Sequence, residues 1–446
     1  MTNDTALCVI DIGSGLLKNE ARLILMKAVT PMNVLRSMFS SLSERNFRYF
    51  WLGQCVSTMG TWVQRTAQTW LVYEMTRSAF KVGLLSAFQF IPILGLTLVA
   101  GTLIDRFSKR TILIVTQAGF LVLGALMTVL VYTGTVQYWH ILLIAFLYGC
   151  FQAFDTPTRQ SFVVELVGQK NLMNGISLNS TIFNLAKIAG PSLAGLLMAQ
   201  YSVGFCFLVD AISYLAVLLG LFLIHQDHVV ASHSHRKVWT DLKEGLAYVW
   251  SHQAVRLSAE LMLIVCTLNF NNNVIIPIMA KTVFHGGAQT YANLLSATGV
   301  GSLIAAFLMS YLSRFGLQRN IYLWVGIGTA TLQAGMLFVR NYALAMVVMV
   351  LIGFCNMIFL NQSNASFQFN IPNELRGRIM SVYVLLNQGS TPIGSLYVGT
   401  VMDIAGGLWG FPACGILALV LLVPLMLLNR PLVSKWFHQG SHQAQL

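Results

Sequence analysis

Long apolar runs alternate with short polar breaks along most of the chain, and each run is about as long as a bilayer is thick. A membrane-crossing helix needs roughly 20 predominantly apolar residues. The pattern supplies twelve such runs, at 47–74, 79–104, 111–134, 137–158, 175–200, 203–225, 257–282, 288–312, 319–340, 342–364, 379–403 and 407–429. No stretch between them is long enough for a separate soluble domain. The expected fold class is an all-α integral membrane protein with twelve transmembrane helices.

The chain also repeats itself. "LIDRFSKR" (103–110) after the second run resembles "LSRFGLQR" (312–319) after the eighth, with Arg106 and Phe107 matching Arg314 and Phe315. In the fifth run "GPSLAG" (190–195) has a counterpart in the eleventh, "TPIGS" (391–395), where Pro191 matches Pro392. The two offsets nearly agree, as duplication of a six-helix unit requires. The expected organisation is an N-terminal cytoplasmic extension (1–37), a six-helix bundle (38–225), a cytoplasmic linker (226–256), a second bundle (257–430) and a tail (431–446). Within the linker, 239–250 alternates apolar and charged residues as an amphipathic interfacial helix does. Two similar halves can rock about a site at the midplane, a transporter device.

Composition agrees with the membrane. Hydrophobic residues make up 56% of the chain and charged residues 9%, against about 25% charged in soluble domains. The net charge of +12 reflects topology rather than nucleic-acid binding. With the N-terminus inside, the tails and even-numbered loops hold 21 Lys and Arg, whereas the odd loops hold 4. Positive charge collects on the cytoplasmic side, so both termini are expected there. The seven cysteines are scattered singly and fit neither a disulfide framework nor a zinc site. Residues 1–37 lack a signal peptide's apolar core and cleavage site. They are either a disordered extension or an upstream start before Met38.

Polar side chains are costly in hydrocarbon, so their placement carries information. On the first helix Gln54, Thr58, Thr61, Arg65 and Gln68 recur at spacings that share one face. The fourth carries Tyr148, Gln152, Asp155 and Arg159, and the fifth Ser177, Ser180, Asn184 and Lys187. Either these stripes line a wet cavity that binds substrate, or they tie helices together by hydrogen bonds. A buried unpaired cation costs far more than a hydroxyl, which favours the cavity for Arg65 and Lys187. The second half uses amides: Asn269 and Asn273 in "NFNNN", Asn356, "NQSN" (361–364), Asn387 and Gln388. These amides either meet an oxygen-rich substrate or satisfy backbone where a helix unwinds. Asp210, at a depth similar to Arg65, is either half of a static ion pair with it or a site that trades a proton for a conformational change. Asp155 is a second coupling candidate.

"GTLIDRFSKR" (101–110) resembles the signature of the major facilitator superfamily, roughly G-x-x-x-D-R-x-G-R-R. Gly101, Asp105, Arg106, Lys109 and Arg110 fit it, and Ser108 replaces the second Gly. The resemblance implies the major facilitator fold, two pseudo-symmetric six-helix bundles, with Asp105 latching onto the start of the eleventh helix when the cytoplasmic side is closed. A carboxylate is stabilised at a helix N-terminus. The basic residues of the motif are expected to pair with Asp155. "AGPSLAG" resembles the superfamily's antiporter signature. Gly190, Pro191 and Gly195 would there serve close helix packing, with Gly299 and Gly301 as partners. "RNFRYFWLGQ" (45–54), "FDTPTRQSFVVELV" (154–167) and "NELRGRIMSVY" (373–383) resemble the bacterial branch that includes enterobactin-type siderophore exporters and macrolide efflux proteins.

The expected function is therefore a secondary exporter of the bacterial inner membrane, a monomer without cofactor. It would move a polar or anionic, siderophore-like small molecule out of the cytoplasm in exchange for protons. The alternative is macrolide or multidrug efflux, and a non-transporting sensor is the remaining reading. An enzyme or ATP-driven pump is not expected, because G-x-x-x-x-G-K-[ST], H-E-x-x-H and G-x-S-x-G are all absent. The histidines at 225, 228, 233 and 235 belong to the solvated linker, and no metal site is expected.

Overall fold

The computed structural model describes residues 40–104, 107–168, 171–224, 238–312, 319–369, 375–431 and 433. Asp105 and Arg106, residues 1–37 and the four linker histidines lie outside them. Among the described residues the regular elements are all helices, with no strand. The first half comprises α1 (Arg45–Thr76), α2 (Ala79–Ile104), α3 (Lys109–Tyr132), α4 (Tyr138–Val167), α5 (Leu172–Gln200) and α6 (Val203–Leu223). A linker helix, α7 (Val238–Ser251), leads to the second half. There follow α8 (Gln253–Asn269), α9 (Asn272–Thr282), α10 (Ala288–Leu312), α11 (Arg319–Gly335), α12 (Tyr342–Phe369), α13 (Arg376–Gly389), α14 (Thr391–Ala405) and α15 (Gly410–Leu428).

Ten helical stretches of the described residues are long and apolar enough to cross a membrane. Of the twelve runs in the sequence, the two that fall short are α1 and the α13–α14 pair. The first carries the polar stripe and the second is interrupted. Both are packed into the bundle: Gly53 of α1 meets the Val217 backbone of α6, and Gly399 of α14 meets the Ala79 backbone of α2.

Two expected helices are broken. In the seventh run α8 ends at Asn269 and α9 begins at Asn272. The Asn271 side chain turns back onto the carbonyls of Thr267 (2.7 Å) and Leu268 (3.0 Å), offering the backbone an alternative to helix. In the eleventh run the chain breaks at Ser390, and Pro392, near the start of α14, has no N–H to continue the ladder.

The halves meet along α2 with α14 and α5 with α10. A Cβ on Gly83 would lie 2.4 Å from the Ser395 carbonyl oxygen, and one on Gly195 2.4 Å from Ala292 Cβ. Ser192 and Ser296 join α5 to α10 by a 2.7 Å hydrogen bond. At the end remote from the termini, Trp70 stacks on Tyr291 at 6.0 Å and Lys281 reaches Glu74 at 3.1 Å. The two halves are closed against each other at that end.

Candidate functional site

The α1 stripe does not face one neighbour. Arg65 Nη2 donates to Gln152 Oε1 on α4 at 2.9 Å, and its guanidinium lies 6.0 Å from the Trp62 ring centre. Arg159, two turns beyond Gln152 on α4, donates to Gln54. Thr61 turns the other way, donating to its own helix at Ser57 O and meeting the Tyr214 hydroxyl of α6 at 3.1 Å. Gln64 and Gln68 bond each other at 2.8 Å. Gln54, Thr58 and Gln68 are buried, while Thr61 and Arg65 are half-buried. Unpaired polar atoms remain along this face: Gln54 Nε2, Thr58 Oγ1, Gln64 Oε1, Arg65 Nε and Gln68 Nε2. Buried polar groups are normally satisfied, so these orphans on one helix mark a surface built for polar partners.

Asp210 sits on α6 with no exposure. Its Oδ2 accepts from the Tyr148 hydroxyl of α4 at 2.8 Å, and Tyr148 is 3.3 Å from the Tyr214 hydroxyl. Phe120 of α3 stacks on both tyrosine rings, at 5.0 and 5.4 Å. Gly60 lets α1 approach, since a Cβ there would meet Ser213 Oγ at 2.3 Å. Asp210 Oδ1 is left without a partner. The Arg65–Asp210 ion pair, one of the two alternatives for Asp210, is not formed: each is held by a neutral group on α4 instead. Similar depth does not fix the direction in which a side chain leaves its helix.

Asp155 is neutralised differently from expectation. Arg159, four residues on, makes its ion pair, and Gln117 (2.7 Å) and Thr116 (3.1 Å) of α3 donate to it. The described basic residues of the loop motif go elsewhere. Lys109 pairs with Glu165 near the end of α4. Arg110 donates to the carbonyls of Leu221 (2.8 Å) and Phe222 (3.2 Å) at the end of α6, where a cation complements the helix dipole. Ser108, the departure from the motif's glycine, is the N-cap of α3 and accepts from Thr111 N at 3.1 Å. Its backbone is extended, so no glycine is needed there.

The α5 stripe is more open. Ser177 and Ser180 are exposed, and Asn184 and Lys187 half-buried. Asn184 donates to Ser180 O on its own helix. Lys187 has a single long contact, 3.5 Å to Ser302 Oγ of α10. The glycine partners are also redistributed. Gly190 faces Trp62 of α1, Gly195 faces Ala292 of α10, and Gly299 of α10 faces Ile188. Gly301 instead faces the Val350 backbone of α12. Pro191 is buried beside them.

The amides of the second half divide. Asn269 is fully buried with both side-chain polar atoms unpaired, and its carbonyl accepts from Gln333 of α11 at 3.0 Å. Asn356 also keeps an unpaired oxygen. Asn271 serves the helix break. Asn273 and Gln388 are exposed, and Asn387 has a 3.5 Å contact to the Tyr383 hydroxyl. The amide candidates thus differ in burial and in partners. Tyr214, Gln117 and Glu165 were not anticipated, although Tyr214 stands one helical turn after Asp210.

An all-helical bundle of two packed halves, with half-buried cations and buried amides between long apolar helices, has the architecture of a membrane transporter. The family model for transmembrane secretion effectors matches residues 36–439, and the chain belongs to that family, within the major facilitator superfamily. It is a multi-pass membrane transporter and not an enzyme. Among curated relatives, the staphyloferrin A transporter of Staphylococcus aureus is 25% identical over 87% of this chain and 97% of its own length. The multidrug efflux pump Tap of Mycolicibacterium fortuitum is 25% identical over 78% and 87%. Macrolide efflux protein A of Streptococcus pyogenes is 20% identical over 86% and 96%. Among solved structures, the nucleoside transporter NupG matches with a TM-score of 0.69 at 12% identity, covering 85% of this chain and 98% of that one. A bacterial homologue of ferroportin in its inward-facing state matches with a TM-score of 0.66 at 16% identity, over 85% and 98%. At these identities the structural likeness concerns the fold alone.

Proposed function

We propose that this transporter exports a polar or anionic, siderophore-like small molecule from the cytoplasm by alternating access, in exchange for protons. One observation carries the reading. Arg65 and Lys187 lie inside the bundle without a carboxylate partner among the described residues, while Asp155 and Asp210 are already held by other groups. An uncompensated cation inside a membrane protein is costly, and an anionic substrate group offsets that cost. The unpaired atoms of Gln54, Thr58 and Gln68, with Asn184, would receive the substrate's hydroxyl and amide oxygens. Thr61, which contacts Tyr214, would act by holding α1 on α6. Asn269, Asn273 and Gln388 would supply contacts from the second half. Asp210, with one free oxygen, is the proposed proton carrier, and Asp155 the second candidate. The relative named for staphyloferrin A supports the substrate class.

The working form is a monomer in the bacterial inner membrane, with both termini cytoplasmic and residues 226–256 linking the bundles. Efflux of macrolides or other drugs is the second reading, favoured by the relatives named for those activities. A deletion strain separates them. Loss of a secreted anionic chelator with unchanged drug sensitivity supports the first; normal secretion with macrolide hypersensitivity reverses the order. Unchanged secretion and sensitivity, with no flux in proteoliposomes, would leave the sensor reading.

A further inference from the structure

The end of the bundle remote from the termini carries a contact that plays no part in the polar face. Asp403, near the close of α14, lies at the first turn of α2 in the other half. Its Oδ1 accepts from Ala79 N at 2.6 Å, and its Oδ2 accepts from Phe80 N at 3.1 Å and from Ser78 Oγ at 2.6 Å. Ser78 in turn accepts from Lys81 N at 3.3 Å, so cap and carboxylate form one network. The turn before α2 is tight: Arg77 takes a left-handed conformation (φ 50) to end α1. That turn aims the first N–H groups of α2 across the interface. The free N–H groups of a helix start attract a carboxylate, and the helix dipole adds to the attraction.

α2 and α14 are antiparallel where they touch. Gly399 abuts Ala79, Gly83 abuts Ser395, and Gly389, at the end of α13, abuts Leu94. In an antiparallel pair, the start of each helix lies beside the end of the other at both ends of the contact. The sequence puts an aspartate at each of the two places where such an arrangement can use one: Asp403 at the end of the eleventh run, Asp105 at the end of the second.

We infer that Asp403 is the acid of a second latch, which holds the remote end shut by gripping the start of α2. It is the reverse-polarity counterpart of the latch expected of Asp105 at the opposite end. The two latches belong to the same helix pair and engage in alternate states. Glu74, bridging Arg77 (2.6 Å) and Lys281 (3.1 Å), reinforces the closed remote end with an acid from the first half on a base from the second. Asp403 is a positioning residue: it touches no substrate. The inference rests on the alternating-access reading above.

Hydrogen exchange on the full-length protein in lipid nanodiscs tests it, comparing wild type, Asp403→Asn and Asp105→Asn. In Asp403→Asn, exchange should rise several-fold at 78–82 and also at the facing segments 70–75 and 288–296, and should fall at 379–383. Asp105→Asn should do the opposite. A rise confined to 78–82 reduces Asp403 to a local cap and overturns the latch, as does a uniform rise at both ends. If Asp105→Asn shifts both ends but Asp403→Asn shifts neither, the latch fails and alternation stands. If neither variant moves either end, alternation itself is overturned. Should Asp403→Asn not fold, Ser78→Ala removes one of the three donors and should give the same pattern at smaller amplitude.

Discussion

The Tyr148 hydroxyl donates to Asp210 at 2.8 Å, joining α4 to α6 through a carboxylate with no exposure. This bond leaves Arg65 to Gln152 on the same helix α4, 2.9 Å away. The acid and the cation of the first half are thus kept apart, each by a neutral partner four residues from the other's. Under the proposed function, the first is left to carry a proton and the second to meet an anion.

Tyr148→Phe removes a donor from a buried carboxylate while keeping the ring that stacks on Phe120. The cost should be about 1–3 kcal/mol, measured as thermal or denaturant unfolding in detergent. The loss should be largely absent when Asp210→Asn is already present, because the charge needing the hydroxyl is gone. Additive effects would show that the bond contributes little.

The Asp155–Arg159 pair is buried on both sides, with side-chain exposures of 4% and 13%. Breaking such a pair from one side costs roughly 3–5 kcal/mol, because an uncompensated charge remains. Arg159→Leu should therefore lower stability sharply, and Asp155→Asn added to it should recover part of the loss. A single variant as stable as wild type would contradict the burial.

Arg65 separates a substrate contact from a structural one by two measurements. Arg65→Ala should cut export at least about tenfold, equivalent to 1.4 kcal/mol or more of lost interaction. Thermal stability should hold or rise, since the variant removes a buried nitrogen, Nε, that has no partner. Retained export with falling stability would return Arg65 to helix packing.

Close helix approach predicts a graded glycine series. At Gly301 a Cβ would lie 1.8 Å from the Val350 carbonyl oxygen, a backbone atom that cannot swing aside. Gly301→Ala should force α10 and α12 apart at about 1–3 kcal/mol. Gly328→Ala meets nothing within 4 Å and should be neutral or gain up to about 1 kcal/mol from helix propensity. Unfolding midpoints in one detergent compare the two directly.

The helices could be read from the sequence because runs of apolar residues declare themselves by length alone. The polar stripes could be read too, since spacing determines a helix face. What spacing cannot give is the rotation of one helix against another. Thr61 shares the α1 stripe yet reaches Tyr214, and Gly301 lies two residues from Gly299 yet meets a different helix. Ser108 departs from a glycine motif, and the motif pattern alone does not display its role as the N-cap of α3. The breaks at Asn271 and Ser390 fall within apolar runs, where hydropathy is indifferent to a local loss of helix. The interface role of Asp403 had no signal in spacing, since its partners are backbone amides far along the chain.

The central claim is that the polar faces of α5 and α1 line a path open from the termini side. Single cysteines at positions 180, 184, 187 and 65, probed with a membrane-impermeant thiol reagent from that side, test it most directly against the wild-type cysteine background. The account predicts fast labelling at 180, slower at 184 and 187, slowest at 65, and protection of 65 and 187 by anionic chelators. Four positions inert from both sides in every condition would contradict it.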